Sequence, residues 1–213
     1  MNRYNRKSAP WRRAAVLVAV AGVLGSLTAC APLVVGGAMV GGSLMVVDRR
    51  TPGAQIEDQG IELKASSLMR QAAPQGHLNA TSYNRTLLLT GEVASEAERK
   101  GVEQAVARIE NLRAVVNELA VAGSSSLTAR SNDAILSAKV KATFVDAADL
   151  QAQSIKVVTE RSTVFLMGRV TEREAGRAAD LAAKVSGVQK VVRIFEILSE
   201  QELAALQGRA APH

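Results

Sequence analysis

Two short apolar runs, Leu87-Leu88-Leu89-Thr90-Gly91-Glu92-Val93 and Val164-Phe165-Leu166-Met167-Gly168-Arg169-Val170, follow one pattern, and their glycines are 77 residues apart. Runs this short, bounded by turn residues, predict strands. Behind them come Ser95-x-x-Glu98 and Thr171-x-x-Glu174, now 76 apart. Each places a hydroxyl and a carboxylate where they satisfy the free amides of a helix start. One residue, about Ala94, has been dropped between the two signals. The spacing of 76 continues through Ala105 and Leu181, Ile109 and Val185, Leu112 and Val188, Val115 and Val191, and Val116 and Val192. Upstream, Asp58 and Lys64 match Asp133 and Lys139 at a spacing of 75. The difference falls in the following loop, where a change of length costs little entropy. The chain therefore contains an internal duplication.

Each unit reads as α-β-β-α-β. A helix opens at Asp58 or Asp133, each taken as an N-cap. A hairpin follows; in the second unit Ile155, Val157 and Thr159 alternate, Glu160-Arg161-Ser162 turns, and Val164 to Met167 returns. A second helix covers about 96–109 or 172–185, and a last strand covers about 113–121 or 189–198. Three strands with both helices on one face make a two-layer α+β domain. The expected organisation is a first domain at 54–122, a linker at 123–126 (Gly123 and three serines), a second domain at 127–199 and a tail at 200–213 that holds a short helix.

The first 53 residues have a different character. Residues 1–13 are basic, Ala14 to Leu24 is a continuous apolar run, and Leu27-Thr28-Ala29-Cys30 ends it with small residues. This is an export signal covering 1–29, with an apolar stretch shorter than the roughly 20 residues a spanning helix needs. Leu-Thr-Ala-Cys also resembles the bacterial lipobox, which implies diacylglycerol on the Cys30 thiol and cleavage just before it. By resemblance to enterobacterial sorting rules, Ala31 after the cysteine implies the outer membrane. Residues 30–53 then read as a tether. Positions 31–47 are apolar with Gly36, Gly37, Gly41 and Gly42, each glycine weakening a helix by about 1 kcal/mol. A flexible tether near the lipid surface is the preferred reading; a second spanning segment or a self-associating glycine stripe is the alternative.

Charge adds less than it first suggests. Lys and Arg number 26 against 20 acids, a net of +6 with pI near 9.8. Arg3, Arg6, Lys7, Arg12 and Arg13 all precede Cys30 with no acid among them. The basic character is thus largely a targeting feature, and no nucleic-acid partner is expected. Between the units the balance differs: residues 58–122 carry seven basic and eight acidic residues, and 127–198 carry eleven and eight. The aromatic fraction of 3% requires cores built from Val, Leu, Ile and Ala. A lone cysteine allows no internal disulfide.

The α-β-β-α-β unit with glycines at both hairpin exits resembles the BON domain (bacterial OsmY and nodulation). The stretch from Val164 through Gly168-Arg169-Val170-Thr171-Glu172-Arg173-Glu174-Ala175 carries that resemblance most specifically. Asp48-Arg49-Arg50-Thr51 and Val185-Ser186-Gly187-Val188 add to it. The whole arrangement is similar to the dual-BON outer-membrane lipoproteins of the DolP/YraP type. That resemblance implies a lipid-anchored protein facing the periplasm that binds anionic phospholipid through its second BON domain and supports envelope integrity.

Candidate chemistry is sparse. His77 sits in a Pro/Gly loop and His213 is the last residue; neither has a cysteine or acid cluster at metal-ligand spacing, so both read as surface histidines. Glu172 and Glu174 could suggest acid–base work, but Glu174 already has a capping role. No catalytic residue, metal site or cofactor is expected. The helix after Asp133 is more informative. At 100° per residue Leu136, Val140, Thr143 and Phe144 form a core stripe, while Ile135, Ala138 and Ala142 fall nearly opposite, flanked by Lys139 and Lys141. One reading is an apolar wedge with cationic heads at phosphate level. The other is that Ile135 packs against the first unit or the C-terminal helix. The functional alternative to lipid binding is an interaction module for envelope assembly or division proteins, using exposed sheet faces and edges.

Overall fold

The computed structural model describes residues 48–210. The export signal, Cys30, the 31–47 tether and His213 lie outside the described residues.

Helix α1 (Pro52–Ala72) opens with the Thr51 hydroxyl accepting from the Ala54 amide at 3.2 Å and with Pro52 in the first turn, where a missing N–H is harmless. Its counterpart α3 (Leu127–Asp146) opens with the Ser126 hydroxyl accepting from the Ala129 amide at 3.2 Å. Both helices thus begin well before Asp58 and Asp133, and the expected N-cap role of those two residues is wrong. The boundary expected between 53 and 54 likewise falls inside α1. The physical reason is that each carboxylate has a distant partner. Strands β1 (His77–Tyr83) and β2 (Thr86–Val93) are joined by Asn84-Arg85, and β5 (Ile155–Glu160) and β6 (Thr163–Val170) by Arg161-Ser162.

All four turn residues are left-handed, with φ of 48°, 68°, 51° and 58° in chain order. Two such residues make the tight turn whose twist suits a hairpin, a conformation that asks for Gly or Asn. Here buried aspartates hold it. Asp58 accepts from the Asn84 and Arg85 amides, both at 2.7 Å, and Asp133 from the Arg161 and Ser162 amides at 2.8 and 2.9 Å.

In the first sheet β2 is central, antiparallel to β1 and parallel to β3 (Ala114–Asn117) and β4 (Ala120–Val121). The parallel pairing needs a crossover, which α2 (Glu96–Val106) supplies. The expected single strand over 113–121 is two pieces in one register, because the ladder with β2 is interrupted at Leu119, whose amide donates to the Asn117 side-chain oxygen at 3.2 Å. In the second sheet β6 is central between β5 and an unbroken β7 (Lys190–Ile197), with α4 (Glu172–Ala183) as crossover. The tail forms α5 (Glu200–Ala210). Thr171 and Glu174 make the full reciprocal cap of α4. Ser95 accepts from the Glu98 amide, but the Glu98 carboxylate returns to the Ala94 amide, so the first unit caps one residue further out.

The hairpin glycines are close-approach positions. A Cβ on Gly91, whose φ is +114°, would lie 1.9 Å from the His77 carbonyl oxygen, and one on Gly168 would lie 2.5 Å from that of Ser154.

Alternation along the central strands sets the layers. Leu87, Leu89 and Val93 face Ile61, Ala65, Met69, Val102 and Val106. Val164, Leu166 and Val170 face Val140, Phe144, Ala175, Ala178 and Ala182. The residues between them turn the other way: Leu88 and Tyr83 of the first sheet cluster with Phe165 and Met167 of the second. The two sheets therefore stack, and central-strand residues are buried on both faces, as an uninterrupted apolar run requires.

Burial alone would raise the Asp58 carboxyl. The donations from Ser82, Arg85, Arg50 and Asn84 outweigh it and hold the group below its ordinary value. A depressed carboxyl gives stability above its unfolded-state value, and that stability is lost as pH falls through the lower folded-state value. Asp58→Ala strands two turn amides and should destabilise by about 2–4 kcal/mol at neutral pH. Its difference from wild type in chemical denaturation should shrink as pH falls below the ordinary aspartate value of about 4, where the unfolded chain takes up a proton that the folded carboxylate still refuses.

Candidate membrane-binding face

Asp133 ties one side of α3 to the hairpin turn, and Leu136, Val140 and Phe144 fill the core on that same side. This fixes the rotation of the helix about its axis. The opposite side faces solvent and is apolar except for Ser131: Leu127, Ile135 and Val145 are 79%, 54% and 68% exposed, and Ala134, Ala138 and Ala142 are exposed between them. Ile135 is therefore not covered by the first domain or by α5. Lys139 and Lys141 are exposed on either side of the stripe. The exposed acids of α3 reduce to Asp146, its last residue. A stripe of this kind, apolar with lateral lysines, matches an interface between hydrocarbon and anionic headgroups.

Helix α1 also leaves large apolar side chains in solvent, Ile56 and Leu63. They are separated by Gln59 and Gly60, and their domain carries a net charge of −1 rather than +3. The two helices are related by the repeat but differ in surface, and α3 has the longer apolar stripe.

The segment entering the first domain is fastened to the second. Arg49 forms a two-pronged ion pair with Glu174 at 2.7 and 2.8 Å, both side chains almost fully buried. Arg49 also donates to the Arg169 carbonyl and to Gln151, and Arg169 donates back to the Arg49 carbonyl at 2.8 Å. Arg50 binds Asp48 and Asp58 and lies 4.4 Å above the Tyr83 ring. A cleft of about 370 Å³ joins this segment to the end of α3, lined by Asp48, Arg50, Tyr83, Lys141, Phe144 and Val145. The Arg49 guanidinium holds the Glu174 carboxyl below its ordinary value, against the opposing effect of burial.

The BON-domain pattern matches residues 57–123 and 132–198. The chain belongs to the BON family, with two copies of the domain. The outer membrane lipoprotein DolP of Haemophilus influenzae is 35% identical over 193 residues, covering 89% of this chain and 97% of that protein. A 21 kDa hemolysin of Actinobacillus pleuropneumoniae is 26% identical over 152 residues, covering 70% of this chain and 78% of the relative. A solved structure of CdsD, a structural protein of the type III secretion system of Chlamydia trachomatis, aligns over 75% of this chain and 99% of its own, at 13% identity. Its TM-score of 0.28 is too low to carry an argument. This BON protein is accordingly a dual-domain outer-membrane lipoprotein. Among the described residues no helix is long and apolar enough to cross a membrane.

Several residues outgrow their sequence reading. Glu174 caps α4 as expected, and it also receives Arg49, a pairing 125 residues apart that no local pattern reveals. His77 is not in a Pro/Gly loop; it opens β1 and faces Glu92 and Glu160. The sheet faces considered for a partner are covered, one by helices and one by the other sheet, which leaves only strand edges.

Removing one partner of a buried ion pair leaves the other charge stranded, at about 3–5 kcal/mol. Glu174→Gln should therefore lower the thermal midpoint more than Glu172→Gln, a change at an exposed position on the same helix. Equal midpoints for the two variants would mean that the Arg49 clasp contributes nothing.

Proposed function

We propose that this BON protein is a non-catalytic lipoprotein, anchored through acyl chains on Cys30, that makes a second contact with anionic phospholipid through the outer face of α3 and so supports envelope integrity. The observation that carries this reading is the solvent-facing stripe of Ile135, Ala138 and Ala142 between Lys139 and Lys141, extended by Leu127 and Val145. Each cation near an anionic leaflet contributes about 1 kcal/mol, close to fivefold in affinity. Partial burial of Ile135 adds about 1–2 kcal/mol. Such a contact is weak alone. Tethering raises its effective concentration, because the anchor already holds the domain at the surface.

The clasp at Arg49 supports the same reading. It brings the start of the described chain, Asp48 and Arg50, to the cleft shared with Lys141 and Val145 of α3. The chain thus leaves the tether beside the end of the proposed lipid-binding helix. The rival reading, an interaction module for assembly or division proteins, is left with strand edges and the Ile56–Leu63 side of α1.

Vesicle co-flotation of residues 45–213, which form one compact unit, tests the proposal. Binding should require phosphatidylglycerol and fail on phosphatidylcholine. It should weaken about fivefold or more with Lys139→Glu or Lys141→Glu and similarly with Ile135→Asp, while Leu63→Asp leaves it unchanged. Equal binding to both lipids, or indifference to the α3 changes, would contradict the assignment.

A further inference from the structure

Three groups that bind metals meet where the two BON domains touch, near the linker. His77 opens β1 and Glu92 lies opposite it on β2, both in the first domain; Glu160 ends β5 in the second. One ligand atom from each lies within 4.8 Å of the others. The Glu92 side chain is fully buried and the Glu160 residue is 8% exposed, whereas His77 retains about a quarter of its exposure and offers an entry path. His77 Nδ1 is itself buried and makes no hydrogen bond, although Glu92 Oε2 is only 3.3 Å away. A carboxylate oxygen this near an imidazole nitrogen, with no aligned hydrogen bond joining them, is a contact in conflict. A cation between them removes the conflict.

We infer that His77, Glu92 and Glu160 form a binding site for a divalent transition-metal ion of the Zn2+ kind, bridging the two BON domains. One imidazole and two carboxylate oxygens suit such an ion, with a fourth position left for water. Tetrahedral bonds of about 2.0–2.1 Å place ligand atoms about 3.3 Å apart, the separation already present between His77 and Glu92. The third ligand must close by at most about 1.5 Å from the 4.8 Å bound to reach that geometry.

The surrounding contacts resemble the outer shell of a metal site. Ser125 donates to Glu92 Oε2 through its amide at 3.3 Å and its hydroxyl at 3.2 Å, and Asn79 donates to Glu160 Oε2 at 3.1 Å. These bonds orient both carboxylates. The competing cation is Arg161, whose Nη1 is 3.5 Å from Glu92 Oε1. That contact is long and its side chain is half exposed, so the guanidinium can withdraw into water as an ion enters. An ion held here ties β1 and β2 to β5 beside the linker residue Ser125, which stiffens the junction between the domains.

The full lipidated chain, stripped of metal with a chelator and held in detergent, tests the site by calorimetric titration with Zn2+. One equivalent should bind. At a hundredfold excess over Kd the thermal midpoint should rise by about 5–10 °C. His77→Ala and Glu160→Gln should each weaken binding about tenfold or more, while a substitution at His213 leaves it unchanged. If His77→Ala melts before any ion is added, Glu160→Gln carries the comparison. The inference is overturned if Zn2+ shows no saturable binding, or if both site variants bind it as the wild type does.

Discussion

The rotation of α1 and α3 about their axes depends on one interaction, a helix aspartate that reaches across to a hairpin turn. Asp58 and Asp133 each accept two backbone amides from turn residues held at positive φ. Backbone strain of about 1–3 kcal/mol for each left-handed non-glycine residue is offset by charge-assisted bonds in a buried setting. The consequence extends beyond the turn. Fixing one side of a helix to the hairpin decides which side faces the core, and hence which side remains in solvent. On α3 the remaining side is the Ile135, Ala138 and Ala142 stripe.

A second set of contacts gives that face an address. Arg49 is held in the second domain by Glu174, Arg169 and Gln151, and Arg50 bridges to Asp58 in the first. The segment entering the folded part is thereby fixed to both domains at once. The stacked sheets, joined through Tyr83, Leu88, Phe165 and Met167, make the pair a single body rather than two beads on a string. A lipid anchor upstream of such a body would raise its concentration at a membrane, and the face of α3 would meet the surface repeatedly instead of by free diffusion.

Much of this was legible in the sequence because much of it is local. The duplication, the Thr171–Glu174 cap, the hairpins and the two-layer domain all follow from spacing and alternation. Asp58 and Asp133 misled because an aspartate ahead of an apolar-periodic stretch has the look of an N-cap, while its real partner lies up to 29 residues away. A signal for the true starts was present: Thr51 and Ser126 are themselves 75 apart, continuing the repeat upstream. The triple leucine at 87–89 also carried more than was read from it, since three successive apolar residues in a strand imply burial on both faces. The Arg49–Glu174 pair and the His77 cluster had no comparable signal. Their members are brought together only by the packing of one domain on the other.

The most direct test of the account is whether the α3 face enters lipid and the equivalent α1 face does not. Residues 45–213 contain no cysteine, so a nitroxide can be placed singly through Ile135→Cys or Ile56→Cys. On vesicles containing phosphatidylglycerol, power-saturation spectroscopy should show the label at 135 gaining access to oxygen and losing access to a water-soluble nickel complex, while the label at 56 remains aqueous. If the label at 135 stays aqueous, or the label at 56 enters the lipid instead, the assignment of the membrane face to α3 is wrong.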